Sequence, residues 1–337
     1  MHATTSADAS PPIGGALEDA VALYRHMVTL RLLSGRMVGL QRTEKVAFHA
    51  ACLGEEAVIA ATAAAARPND WIFPGVREWG AAIVRGLPLA DYMHHAFGSA
   101  KDAAKGHSAP DHPPARKVRV APASGIPGAH VTQAVGAAWA AKIKKDDVAT
   151  VALFGESATG TGDVHNALNF AGVFKPACVL VCRNDGRTPV GTTRDRAVAY
   201  GLATATVDGS DPLAVLALVR DAIARGAAGK GATLIEATTQ PLTPTLNAEA
   251  WQRGTADLLS LGDADPLVRL RRALEREKRL DTAADDALVR EVRAAIDAAL
   301  AEAERAGPPA SPTIFEDVFA EVPAHLRAQK ESSPWRR

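Results

Sequence analysis

Apolar residues recur three or four apart over residues 17–45, at Leu23, Met27, Leu30, Leu33, Met37 and Leu40. This is the stripe of an amphipathic helix with one face on a core or a subunit interface. A second helix is predicted over 54–66 and is stopped by Pro68 and Asn69. The stretch from Asp70 to Trp79 reads as a turn-rich connection to another helix. Gly, Pro, Lys and His dominate residues 99–128, which predicts a loop, and a loop that long inside a domain usually has a function.

The pattern changes in the centre. Two short runs rich in β-branched residues, 148–154 and 177–182, predict buried strands. Between them lie the glycine-rich segment Gly155-Glu-Ser-Ala-Thr-Gly-Thr-Gly162 and a helix over 163–174, so the unit is strand, loop, helix, strand: a parallel α/β crossover. A strand at 203–207, a helix at 212–225 and a strand at 233–236 continue it, and 265–305 is helical in composition. With no internal repeat, the fold class is α/β, a parallel sheet flanked by helices with a helical C-terminal part. The expected organisation is a loose tail at 1–15, one α/β domain at 16–260, its helical extension at 261–330 and a tail at 331–337.

Composition narrows the function without choosing it. The 337 residues are 47% hydrophobic and 23% charged, enough to bury a substantial core. Lys+Arg and Asp+Glu both number 38, so no global field favours nucleic acid or an anionic membrane, and neither is expected as a partner. Cys52, Cys178 and Cys182 form no CxxC pair and no disulfide framework, which fits a cytoplasmic protein. No apolar stretch is long enough to span a bilayer, and the first 15 residues lack the basic start and apolar run of a signal peptide.

The glycine-rich loop stands where α/β sheets bind ligands: after a strand and before a helix whose backbone N–H groups face anions. Gly155-x4-Gly160 is followed by Thr161-Gly162, not by the Lys-Ser/Thr of a P-loop. Gly155-Glu-Ser-Ala-Thr159 lacks the last glycine of a nucleophile elbow, and no GxGxxG follows the strand. There remain Glu156 after one strand and Arg183-Asn-Asp-Gly-Arg187 after the next. Successive parallel strands place these ends side by side. A carboxylate, a second side-chain oxygen and a backbone carbonyl from them suit Mg²⁺, which takes oxygen ligands and completes its shell with phosphate and water. Plainer readings stand beside this one: Glu156 as an acid on a helix dipole, Arg183 as a neutraliser of a carboxylate, Arg77-Glu78 as a surface ion pair, and Asn-Asp-Gly as an ordinary turn.

From about residue 20 to residue 330 the chain resembles the alpha subunits of thiamine-diphosphate-dependent 2-oxo acid dehydrogenases. The stretch from Gly155 to Lys175 is similar to the family's cofactor motif, in which branched-chain members can carry the glutamate found here at 156. Cys182-Arg183-Asn184-Asp185-Gly186 is similar to the branched-chain Cys-Arg-Asn-Asn-Gly. Gly54-Glu-Glu-Ala57, Asp70-Trp-Ile-Phe-Pro74, Arg77-Glu78, Gln133-Ala-Val-Gly-Ala-Ala138 and Val207-Asp-Gly209 also match. The resemblance implies a thiamine-diphosphate-binding fold, with Arg77, Gly155, Glu156, Ser157, Ala158, Arg183 and Asp185 at the cofactor and Glu156, Asp185 and the carbonyl of Arg187 at Mg²⁺. It implies oxidative decarboxylation of a branched-chain 2-oxo acid and transfer of the acyl group to a lipoyl group on an acyltransferase core. It also implies a beta subunit, in a heterotetramer of two alpha and two beta chains.

Several positions depart from the family pattern. Asp185 replaces a metal-binding asparagine, the segment after Gly186 is shorter, and Val76 stands where a tyrosine precedes the diphosphate-binding arginine. The family's Ser-Pro-Val-Gly-Thr-Gln becomes Gly125-Ile-Pro-Gly-Ala-His130. The loop histidine that assists the chemistry is absent: none of the ten histidines lies between His165 and His325. No catalytic residue is therefore assigned. His49, His107 and His112 read as satisfied loop or core residues. A catalytically silent structural or regulatory subunit of the same fold, and a pyruvate- or acetoin-type thiamine enzyme, stay open as alternatives.

Overall fold

In a computed structural model of the chain, residues 17–186, 189–240, 242 and 265–334 are described. The expected tail at 1–15, Arg187 and most of the loop after Glu236 lie outside them. The N-terminal apolar stripe forms α1 (Leu17–Arg42), with Glu18 and Asp19 in its first turn and Arg42 in its last, each favourable to the helix dipole. Leu23, Met27, Leu30, Leu33, Met37 and Leu40 are all buried. The chain continues through α2 (Glu56–Ala65), β1 (Trp71–Pro74), α3 (Gly80–Val84), α4 (Leu89–Phe97) and α5 (Ala129–Lys144). The crossover comes next as β2 (Thr150–Gly155), α6 (Gly162–Phe174) and β3 (Cys178–Asn184). Then come α7 (Thr192–Ala199), β4 (Ala203–Asp208), α8 (Pro212–Arg225), β5 (Thr233–Thr238), α9 (Pro266–Arg276), α10 (Thr282–Ala306) and α11 (Ala324–Ser332). The last helix enters the segment expected to be a tail.

The five strands are parallel, in the order β1-β2-β3-β5-β4. Alternation along each strand sorts side chains into two layers. Val151, Leu153, Val179 and Val181 join the core under α1, α2, α8, α9 and α10. Ala152, Phe154, Cys178, Leu180 and Cys182 join the core under α5 and α6. Each fully buried Val, Leu or Phe contributes about 1.5–3 kcal/mol relative to exposure, so the two cores fix the sheet between its helices. The cysteines are packing residues: burial pushes the Cys178 and Cys182 thiols up to about 12.

The connection at 70–79 holds an element that its sequence pattern does not predict. Trp71–Pro74 is a strand pairing with β2, with Ile72 opposite Val151. Proline is accepted at strand ends and sheet edges, and Pro74 ends a four-residue edge strand. Its outer side is covered by the predicted long loop: the Ile72 N–H donates to the Arg119 carbonyl at 2.9 Å and the Ala121 N–H to the Ile72 carbonyl at 2.8 Å. That loop is pinned at two carboxylates. Asp102 accepts His95 Nδ1 at 3.3 Å and the Ala104 and Gly106 N–H groups at 3.0 and 2.9 Å. Asp111 accepts the Tyr92 hydroxyl at 2.7 Å and the Ala50 N–H at 2.6 Å.

Candidate active site

The carboxyl ends of β1, β2 and β3 lie side by side, and the residues just beyond them build the site. Gly155 pairs with Arg183 across β2 and β3, which brings Glu156 and Asp185 together at the edge of the sheet. Glu156 does not open α6. It begins a 3-10 turn, Glu156–Gly160, and Thr161 caps α6 by accepting the Val164 N–H. The reading of Glu156 as an acid on the α6 dipole therefore fails. Its side chain is buried and faces the Asp185 carboxyl, with which it shares a hydrogen bond. Burial raises the Glu156 pKa and the Asp185 charge adds to it, against the pull of backbone N–H and Arg183.

Two arginines stand beside this pair. Arg183 is buried; its Nε donates to Glu78 Oε1 at 2.6 Å and its Nη1 to Glu55. Arg77, on the turn after β1, donates from Nη1 to the other Glu55 oxygen at 2.9 Å. Burial works against the Arg183 charge, but Glu55 and Glu78 outweigh it and hold its pKa above the ordinary arginine value. Arg77 and Glu78 are not a surface ion pair: each bonds a residue from another element. Arg183 neutralises carboxylates, in keeping with its plainer reading, and does so on the wall of a cavity.

That cavity encloses about 660 Å³. Arg77, Gly155, Glu156, Ser157, Ala158, Arg183 and Asp185 all line it, so the structure brings together every predicted site residue that it describes. It adds residues that were not predicted: Glu55, Glu78, Phe48 and the imidazoles of His112 and His130. The motif Gly54-Glu-Glu-Ala57 was the available signal for Glu55. His112 Nδ1 donates to the Pro110 carbonyl at 2.6 Å and His130 Nε2 to the Leu153 carbonyl at 2.8 Å, so each ring keeps its other nitrogen as an acceptor. His49 is a core residue, between Ser34 at 3.0 Å and Asp111 at 3.2 Å. His107 is exposed and does not line the cavity.

The donor set suits a hard cation. Two carboxylates held against each other gain when a cation separates them, and Mg²⁺ binds through one or two carboxylates plus phosphate and water. Among the described residues no group of three or more His, Cys, Asp or Glu could hold a metal by itself, so an ion here would draw its other ligands from elsewhere. The N-terminus of the 16-residue α5 also opens onto the cavity at Gly128, favouring an anion.

Residues 24–311 match the model of the family described as dehydrogenase E1 component. The chain is 31% identical over 316 residues to the 2-oxoisovalerate dehydrogenase subunit alpha of Bacillus subtilis, covering 90% of this chain and 96% of that one. It is 35% identical over 328 residues to the 3-methyl-2-oxobutanoate dehydrogenase subunit alpha of Mycobacterium tuberculosis, covering 92% and 85%. The human mitochondrial 2-oxoisovalerate dehydrogenase subunit alpha is 30% identical over 329 residues, covering 94% and 74%. Among solved structures, transketolase from Campylobacter jejuni shares the fold with a TM-score of 0.54 at 19% identity, over 94% of this chain and 49% of that one.

Proposed function

The chain belongs to the dehydrogenase E1 component family, and on that premise we propose that it is the alpha subunit of a branched-chain 2-oxo acid dehydrogenase, binding thiamine diphosphate through Mg²⁺. The observation that carries this is the facing pair Glu156 and Asp185 beside Arg77 and Arg183 on one cavity at the sheet's carboxyl edge. Bound thiamine diphosphate supplies the electron sink that lets CO₂ leave a 2-oxo acid. The residues of this chain hold and orient it. Glu156 and Asp185 would ligate the cation; Arg187, expected as a third ligand, lies outside the described residues. Ser157 and Ala158 would offer backbone, and Arg77 and Arg183 guanidinium groups, to the diphosphate.

Arg77, Arg183, Glu55 and Glu78 together carry no net formal charge, and the Glu156 and Asp185 carboxylates would cancel that of a divalent cation, so direct ligation of phosphate oxygens by the cation and backbone N–H groups would hold the diphosphate. The relatives are named as alpha subunits, which supports a beta subunit as the partner that completes the site, in a heterotetramer. The acyl product passes to a lipoyl group of an acyltransferase core. Three buried, unpaired cysteines fit a reducing cytoplasm.

A second reading is a catalytically silent subunit of the same fold, favoured by one observation: residues 238–252 contain no histidine. Turnover separates the two. Purified with its beta subunit, the chain is expected to release CO₂ from 3-methyl-2-oxobutanoate, with an artificial electron acceptor, faster than from pyruvate. A correctly assembled complex that turns over no 2-oxo acid establishes the silent subunit instead.

A further inference from the structure

Asp185 follows Asn184, the last residue of β3, and Gly191 immediately precedes α7. Asn184 and Gly191 are tied to one side chain. Glu236, on β5 beside Cys182, accepts Asn184 Nδ2 at 2.8 Å through Oε1 and the Gly191 N–H at 2.9 Å through Oε2. With its nitrogen turned to Glu236, the Asn184 amide uses Oδ1 to accept the Gly186 N–H at 3.0 Å. Gly186 has a φ of 86°, a left-handed conformation that glycine adopts without strain. Asp185 is thus the central residue of an Asx turn, in which an asparagine side chain bonds the backbone two residues on.

Glu236 is an acid where the strand pattern calls for an apolar residue. Alternation along β5 puts it on the face of Leu234, in the core that holds Leu180 and Cys182. It is fully buried, and an apolar side chain would fill the same place without the cost of burying a polar group. What a carboxyl alone supplies is two acceptors on one planar group. One meets a side-chain amide and settles which way that amide turns, since its oxygen and nitrogen have nearly the same shape. The other meets the N–H that precedes α7. We propose that Glu236 is a positioning residue for the cation site: through Asn184 and Gly191 it holds Asp185 opposite Glu156. The inference rests on the cofactor reading above. Glu236 does not line the cavity, so it acts through Asp185 and touches neither cation nor cofactor.

The test is calorimetry of thiamine diphosphate with Mg²⁺ on the full chain purified with its beta subunit. Glu236→Gln keeps size and burial but has one acceptor where two are needed, so a nitrogen must face either the Gly191 N–H or the Asn184 amide. Asn184→Asp sets two carboxyls against each other. Each single variant is expected to bind the cofactor about 10- to 100-fold more weakly, the loss typical of changes to groups that orient metal ligands. In the double variant amide and carboxyl have changed places and every hydrogen bond is available again, one of them reversed. It is expected to recover most of the lost affinity. If the wild type binds the cofactor and either single variant binds it equally well, the inference is overturned and the cofactor reading stands. Losses that simply add in the double variant overturn it too, because the two side chains then do not act on each other. If the wild type takes no thiamine diphosphate with Mg²⁺, both fall. Should the variants lose their native circular dichroism, the wild type decides. Coupling is reciprocal, so the bound cofactor and Mg²⁺ are expected to slow hydrogen exchange at the Gly191 amide, and an unchanged rate overturns the inference.

Discussion

Arg183 reaches the cavity wall already shared between two carboxylates, and that arrangement governs what its loss does. Removing one partner of a buried ion pair leaves the other charged and desolvated, at a cost of about 3–5 kcal/mol. Arg183→Met is therefore expected to lower the free energy of unfolding, read from the shift of the urea midpoint, by an amount of that order, because Glu55 and Glu78 are left facing each other. Adding Glu55→Gln and Glu78→Gln is expected to recover most of it. An unchanged midpoint in the single variant would show that Arg183 does not hold this cluster together. The sequence located Glu156, Arg183 and Asp185 because they come after consecutive strands, whose ends lie next to each other by chirality. It could not locate Glu55 on Arg183, since the two are 128 positions apart and meet only through packing of α2 against the sheet layer. Nor could it tell His112 and His130, which line the cavity, from His49, satisfied in the core.

At the scale of elements, the loop between α4 and α5 closes one side of the cavity and owes its shape to Asp102 and Asp111. Burial raises the Asp102 pKa, but His95 and the Gly106 and Ala104 N–H groups outweigh it, and the net shift is downward from 3.8. The folded state then binds fewer protons than the unfolded state between the lowered value and 3.8. The stabilisation is complete above 3.8 and is lost as pH falls through the lowered value. Hydrogen exchange checks this: Asp102→Asn is expected to speed exchange at Gly106 about tenfold at neutral pH and to remove the acid dependence of that amide. Equal exchange in both proteins would mean that the loop is held elsewhere. The β2-α6-β3 unit was legible because its strands are β-branched runs bounded by turns. β1 was not, being four residues long and ending in Pro74. α5 and α7 were not recognised either: α5 is alanine-rich with Gly136 inside it, and α7 has only Thr193 and Ala197 on its buried face, too few to mark a stripe.

For the whole molecule, a parallel sheet between two helical layers places three strand ends on one edge, and every predicted ligand-binding residue that the structure describes converges there. No helix among the described residues is long and apolar enough to cross a membrane. The central claim is that Glu156 and Asp185 hold a cation that in turn holds thiamine diphosphate, and calorimetric titration of the cofactor into the chain assembled with its beta subunit tests it most directly. The account predicts micromolar binding that requires Mg²⁺. It also predicts that Glu156→Ala weakens binding at least about 10- to 100-fold, the loss that even outer-shell changes at metal sites produce. Binding that is indifferent to Mg²⁺ or to Glu156→Ala, or no binding at millimolar cofactor, would contradict it.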